Sequence, residues 1–242
     1  PMITPNSARF SAVGGAQIAY GATSYDARGI SSQTILNAQG NLSLLDLSSL
    51  LSLNASGDFG GSPTRHISST DGALIDLSSL QSLQGGFGGD VLEFVTSNGG
   101  TIDLSSLTEI TSGNVRFNFD TMSFTMLAGL EKANSISFVS PAGATIDLTA
   151  LQQLTNSTLT APDNGVINAP ALTIFDGSTL NLSGGATVNV PAFDSITNSR
   201  FNLTGGAQFA VAATVYNASG ISSGDLISVS GSFDDGSRAI IP

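Results

Sequence analysis

Two groups of ionisable residues in this chain have types and spacings suited to chemistry. Asp58, Arg65, His66 and Asp71 bring an acid, a cation and the sole imidazole together in one short stretch. An imidazole beside a carboxylate can take and return a proton near neutral pH, the requirement for general acid-base work. These residues lie in or next to segment 57–70, GDFGGSPTRHISST, which reads as a protruding loop. A lone loop histidine is ordinarily solvated, so the four are candidates for catalysis, not an assigned centre. The second group is Asp46, Asp76, Asp103 and Asp147, which share one outward position of a recurring motif, with Thr125, Asn168 and Asn189 continuing the column. Carboxylates stacked about 4.8 Å apart repel by roughly 0.9 kcal/mol per neighbour even at the dielectric of water. Two devices relieve this. A row of Ca²⁺ ions would use hard oxygen ligands, with Thr101 or Thr145 assisting. Alternatively, each aspartate accepts backbone N–H groups from the adjoining Ser-Ser corner. The corner role is the expectation, with Ca²⁺ the alternative and no other cofactor implied.

What must position these residues is a repeat. LDLSSL (45–50), IDLSSL (75–80), IDLSSL (102–107), IDLTAL (146–151), INAPAL (167–172) and VNVPAF (188–193) are copies of one pattern. Their first apolar residues, with three weaker copies, are Ile18, Leu45, Ile75, Ile102, Phe124, Ile146, Ile167, Val188 and Phe209, spaced by 27, 30, 27, 22, 22, 21, 21 and 21. A unit this short cannot bury its own apolar face, so copies must stack as a solenoid.

The unit reads as three strands and three corners. In STLNLSGGATVNVPAFDSITN (178–198) Leu180 and Leu182 alternate with Asn181, Gly184-Gly185 turn a corner, and Val188 and Val190 alternate with Asn189. Alternation of period two marks a half-buried strand, and paired glycines supply positive backbone angles. Pro191 closes the second strand, and Phe193 and Ile196 face inward before the Asn198-Ser199 corner. The same frame places Phe138, Ile146, Leu148, Leu151 and Leu154 inside one coil, and Phe117, Phe119, Phe124, Met126 and Leu130 inside the coil before it. A leucine-rich repeat would need helical turns between anchors, where this chain has Ser, Gly, Thr and Asn. A left-handed hexapeptide helix would have period eighteen.

The expected fold is therefore all-β: a parallel β-helix of about nine to ten coils of 21–30 residues, right-handed like nearly all parallel crossovers. We expect one domain over 1–242, with longer irregular coils in 1–75 including loop 57–70, regular coils in 76–220, and a terminal coil or cap in 221–242. With coils such as GGATVNVPAF (184–193) and GGTIDLSSL (99–107), the chain resembles the right-handed parallel β-helical repeats of large bacterial surface and secreted proteins, whose coils read like GGATxxLPAL or SxxTIDLSSL. That resemblance implies an adhesin-like module at the cell surface or outside the cell.

Composition narrows the function. Charged residues make up 10% of the chain, against about 25% in an average soluble domain. Net charge is −11, with one lysine and six arginines, so nucleic acid and anionic membranes are disfavoured as partners. No apolar run reaches the length of a membrane span. Pro1-Met2-Ile3 begins without a basic or apolar leader, as in a mature or excised segment. Cysteine is absent, which excludes disulfides and thiolate metal sites. The Asn-x-Ser/Thr triplets at Asn41, Asn54, Asn156, Asn181, Asn202 and Asn217 follow from the abundance of those residues.

The expected role is a non-catalytic structural or adhesive module of a larger extracellular bacterial protein, with neighbouring domains of the same chain, and a surface glycan or protein, as partners. The alternative is a polysaccharide-binding or polysaccharide-cleaving β-helix, opposed by zero Trp, three Tyr and few Lys or Arg. Ice binding comes third, because the outward pairs Thr101/Asp103, Thr145/Asp147, Val166/Asn168 and Thr187/Asn189 lack a second threonine.

Overall fold

The computed structural model describes residues 8–31, 33–57, 59–60, 63–119, 127, 129–140, 142–190, 193–210, 213, 215–221, 227–230 and 238–240. Two compact units divide the chain, Pro1–Gly129 and Leu130–Pro242. Each is a parallel β-solenoid, and no helix occurs among the described residues.

In the first unit the strands follow one another as turns of three. They are β1 (Phe10–Val13), β2 (Gln17–Ala19) and β3 (Ser24–Asp26), then β4 (Gln33–Gln39), β5 (Leu44–Asp46) and β6 (Ser52–Asn54). Next come β7 (Thr64–Thr70), β8 (Leu74–Asp76) and β9 (Ser82–Gln84), then β10 (Val91–Ser97), β11 (Thr101–Asp103) and β12 (Glu109–Ser112), with β13 (Asn114–Phe119) last. Strands at equivalent places stack as β1-β4-β7-β10-β13, β2-β5-β8-β11 and β3-β6-β9-β12.

The second unit opens with β14 (Lys132–Asn134) and continues with β15 (Ile136–Val139), β16 (Thr145–Asp147) and β17 (Gln153–Thr155). Then follow β18 (Thr158–Ala161), β19 (Val166–Asn168), β20 (Ile174–Asp176), β21 (Thr179–Leu182), β22 (Thr187–Asn189) and β23 (Ser195–Thr197). It ends with β24 (Arg200–Thr204), β25 (Gln208–Ala210), β26 (Tyr216–Asn217), β27 (Ile227–Ser230) and β28 (Arg238–Ile240). Its sheets run β15-β18-β21-β24-β27, β16-β19-β22-β25-β28 and β14-β17-β20-β23-β26. Among the described residues each unit completes four three-strand turns, and β27 and β28 extend the stack of the second.

Most strands are only three residues long because one apolar centre flanked by polar neighbours fills one face of the turn. Leu45, Ile75 and Ile102 are in register and fully buried, as are Leu53 and Leu83 on the next face. In the second unit Leu159, Leu180 and Phe201 form one inward column, and Leu154, Phe175 and Ile196 another. Aromatic rings stack both within a column, Phe94 on Phe117 at 5.1 Å between centroids, and between columns, Phe175 on Phe201 at 5.7 Å. Val188 and Val190, expected inside, are half-buried, while Phe124, Met126 and Pro191 lie outside the described residues.

Corners repeat as faithfully as strands. Each Leu-x-x-Leu corner closes with a backbone bond: Leu50 N to Leu47 O at 2.8 Å, Leu80 to Leu77 and Leu107 to Leu104 at 2.9 Å, and Leu151 to Leu148 at 3.0 Å. Where the chain must enter the left-handed region it uses glycines such as Gly184 and Gly205, or asparagine and aspartate, as at Asp71, Asn98, Asn156 and Asn198, with Leu42 and Ser135 the exceptions among the described residues. The stretch 105–114, where a leucine-rich repeat would carry helix, is a turn followed by β12 and the start of β13.

Candidate functional site

The segment expected as a loop over 57–70 is corrected by β7, which occupies Thr64–Thr70 and pairs in parallel with both β4 and β10. Strand alternation then sends Arg65 and His66 to opposite faces. Their pairing in sequence therefore makes no joint site. Arg65 turns inward and is fully buried. Nη1 donates to Ala27 O at 3.3 Å, Nη2 donates to Ala55 O, and the guanidinium carbon lies 5.5 Å from the Phe59 ring centroid. Burial pulls the Arg65 pKa below the usual arginine range, and the charge of Asp90, itself fully buried, opposes that pull. Asp90 Oδ2 accepts the Phe59 backbone N–H at 3.1 Å. The strand tolerates an inward arginine because two corner carbonyls, an aromatic face and a buried carboxylate surround it.

His66 faces outward on β7. Parallel register sets Glu93 of β10 beside it and Arg116 of β13 beside Glu93. His66 Nδ1 lies 3.1 Å from Glu93 Oε2, and Arg116 Nη1 lies 3.6 Å from Glu93 Oε1. The Glu93 side chain is 10% exposed, whereas His66 and Arg116 are 35% and 45% exposed. Glu93 thus anchors both neighbours and leaves the far side of each ring or fork to solvent. Asp71 sits apart, at the corner after β7, where its carboxylate accepts from Asn98 Nδ2 at 2.9 Å and Gln39 Nε2 at 3.3 Å. Those two amides, with the Thr70 hydroxyl, hold Asp71 below the usual carboxylate range. Asp58 lies outside the described residues.

Of these partners, sequence reasoning missed Glu93, Arg116 and Asp90. A signal for two of them exists in the chain: the inward column Leu36, Ile67, Phe94 and Phe117 fixes the frame. The residue before each of the last three is His66, Glu93 or Arg116.

The aspartate column follows the motif. Asp46, Asp76 and Asp103 are in register, and each Oδ1 accepts the backbone N–H two residues on, from Ser48 at 3.0 Å, Ser78 at 3.0 Å and Ser105 at 2.9 Å. The bonds from Ser48 hold Asp46 below the ordinary carboxylate range. Asp147 belongs to another arrangement. It accepts from Asn168 Nδ2 at 2.9 Å, and Asn168 Oδ1 accepts from Asn189 Nδ2 at 2.8 Å, an amide ladder running up the sheet. Among the described residues no three His, Asp or Glu side chains converge as a metal cluster. Arg65 Nε, Asp90 Oδ1 and Thr96 Oγ1 are buried polar atoms without a protein partner among the described residues.

Comparison with protein-family models, curated proteins and solved structures finds no match for this chain.

Proposed function

We propose that this chain is a non-catalytic structural and adhesive β-solenoid module of a larger extracellular bacterial protein. The observation that carries the reading is the use made of its acids and amides. Asp46, Asp76 and Asp103 close turns, Asp71 cross-links a corner, and the Asp147, Asn168 and Asn189 ladder joins successive coils. Groups committed to ground-state hydrogen bonds in this way serve rigidity, whereas proton transfer needs a group free to change partners. An extracellular setting suits a cysteine-free, hydroxyl-rich chain with 10% charged residues. Fold alone leaves many functions open, so the reading stands on the sites and not on the solenoid.

The test is turnover. Incubation with a panel of neutral and uronic-acid polysaccharides, followed by reducing-end and unsaturated-product assays, is expected to show no product above blank. A reproducible rate lost in His66→Ala, with the thermal midpoint unchanged, would overturn the non-catalytic reading.

A further inference from the structure

We infer that the outer face of the sheet β1-β4-β7-β10-β13 is a binding face for carboxylate-bearing glycans, with Arg116 and His66 as its anion-reading groups. The inference deepens the adhesive reading and rests on it. It starts from charge. The chain carries a net charge of −11, yet Glu93 is the one carboxylate in the sequences of these five strands. That carboxylate is already engaged on both sides and is almost shielded from solvent. An incoming anion therefore meets no free acid on these strands, although acids abound elsewhere on the molecule.

The Arg116 and His66 side chains both lean on Glu93. One Arg116 nitrogen leans on Glu93, and among the described residues its remaining N–H groups have no protein partner. A planar guanidinium with open N–H groups takes a carboxylate as a fork, with geometry a flexible ammonium cannot supply. His66, held through Nδ1, presents Nε2 away from Glu93. Register puts Glu93 between them, so the two side chains stand two strands apart, about 9.6 Å along the stack. That separation suits an extended ligand more than a small ion.

The flanking outward positions match a hydroxylated chain. One neighbouring row reads Ser11, Asn37, Ser68, Val95 and Asn118, and Thr34 continues the His66 row onto β4. Hydroxyls and amides exchange hydrogen bonds with sugar hydroxyls while Arg116 and His66 donate to the carboxylate. No aromatic side chain faces outward among these positions to stack on a sugar ring, so affinity should depend on Arg116 and His66.

The probe is a linear oligogalacturonate, with its fully methyl-esterified form as the neutral counterpart, titrated calorimetrically against the full chain at low salt. The acid form is expected to bind saturably and the ester not at all. Arg116→Gln should weaken binding by about tenfold or more, and Arg116→Lys by less, because charge is kept and the fork is lost. Arg28→Gln removes an exposed cation already paired with Asp26 and should leave binding unchanged. Equal binding of acid and ester, wild-type affinity in Arg116→Gln with the thermal midpoint preserved, or no binding of the acid form at millimolar concentration would each overturn the inference. Product in the recovered oligomer would instead signal failure of the non-catalytic reading, so the two failures are distinguishable.

Discussion

Arg65 and Asp90 show how one coil of this repeat admits charge into its interior. Both are fully buried, and Nη1 and Nη2 of the guanidinium donate to the Ala27 and Ala55 carbonyls while Nε has no protein partner among the described residues. Removing the compensating carboxylate with Asp90→Ala should destabilise the first unit by about 3–5 kcal/mol, the usual consequence of stranding a buried charge. Arg65→Met combined with Asp90→Ala should recover much of that loss, and a double-mutant cycle by urea titration measures the coupling. Additive losses would show that the two charges do not sense each other. Acid stability is set in part by aspartates held in hydrogen bonds, half-buried at Asp46 and exposed at Asp71. Asp46 and Asp71 have folded pKa values below the ordinary range, held there by Ser48 and by the Asn98 and Gln39 amides respectively. A depressed carboxylate pKa contributes stability above its unfolded value and loses it as pH falls through the folded value. The thermal midpoint should therefore hold steady above about pH 5 and decline from about pH 4 downward. Asp46→Asn should flatten that decline, and an unchanged acid slope would contradict the assignment.

At the scale of strands and corners, two polar devices keep the coils in register. In the first unit the Asp-x-Ser bond closes the corners after β5, β8 and β11, so Asp103→Ala should cost about 0.5–2 kcal/mol, as loss of a helix cap does. Calorimetry in chelator and in millimolar Ca²⁺ should give overlapping transitions, and a Ca²⁺-dependent rise lost in Asp103→Asn would establish an ion row instead. In the second unit a buried serine ladder plays the equivalent part. Ile136 N donates to Ser157 Oγ, Ser157 N to Ser178 Oγ and Ser178 N to Ser199 Oγ, each at 3.1 Å. Ser178→Ala leaves the Ser157 N–H buried without an acceptor, at a cost of about 1–3 kcal/mol by urea titration. Much of this architecture is legible in the residues. LDLSSL and its copies announce strand, corner and buried leucines, because a period-two pattern followed by Ser-Ser has few other solutions. Segment 57–70 reads as loop because Gly, Pro and charge mark loops locally. Its strand is dictated instead by stacking between β4 and β10, which no local pattern reports. Glu93 escapes a local reading for a related reason: it lies in VLEFVTS, far in sequence from the His66 it meets.

Over the whole chain, stability comes from repetition, with each turn burying a few apolar side chains against its neighbours at roughly 1.5–3 kcal/mol apiece, offset by the ordering of a glycine-rich backbone. Each unit offers regular outer faces, and several of its described acids and amides are engaged at corners and in ladders. On the proposed function, the chain holds a surface without converting it. The most direct measurement immobilises the full chain, passes intact acidic polysaccharide over it, and follows both retention and the molar mass of the recovered polymer by light scattering. Saturable, reversible retention with unchanged polymer mass is the predicted result. Progressive shortening of the polymer that disappears in His66→Ala would contradict the account, as would failure to retain any polymer or cell-surface glycan at all.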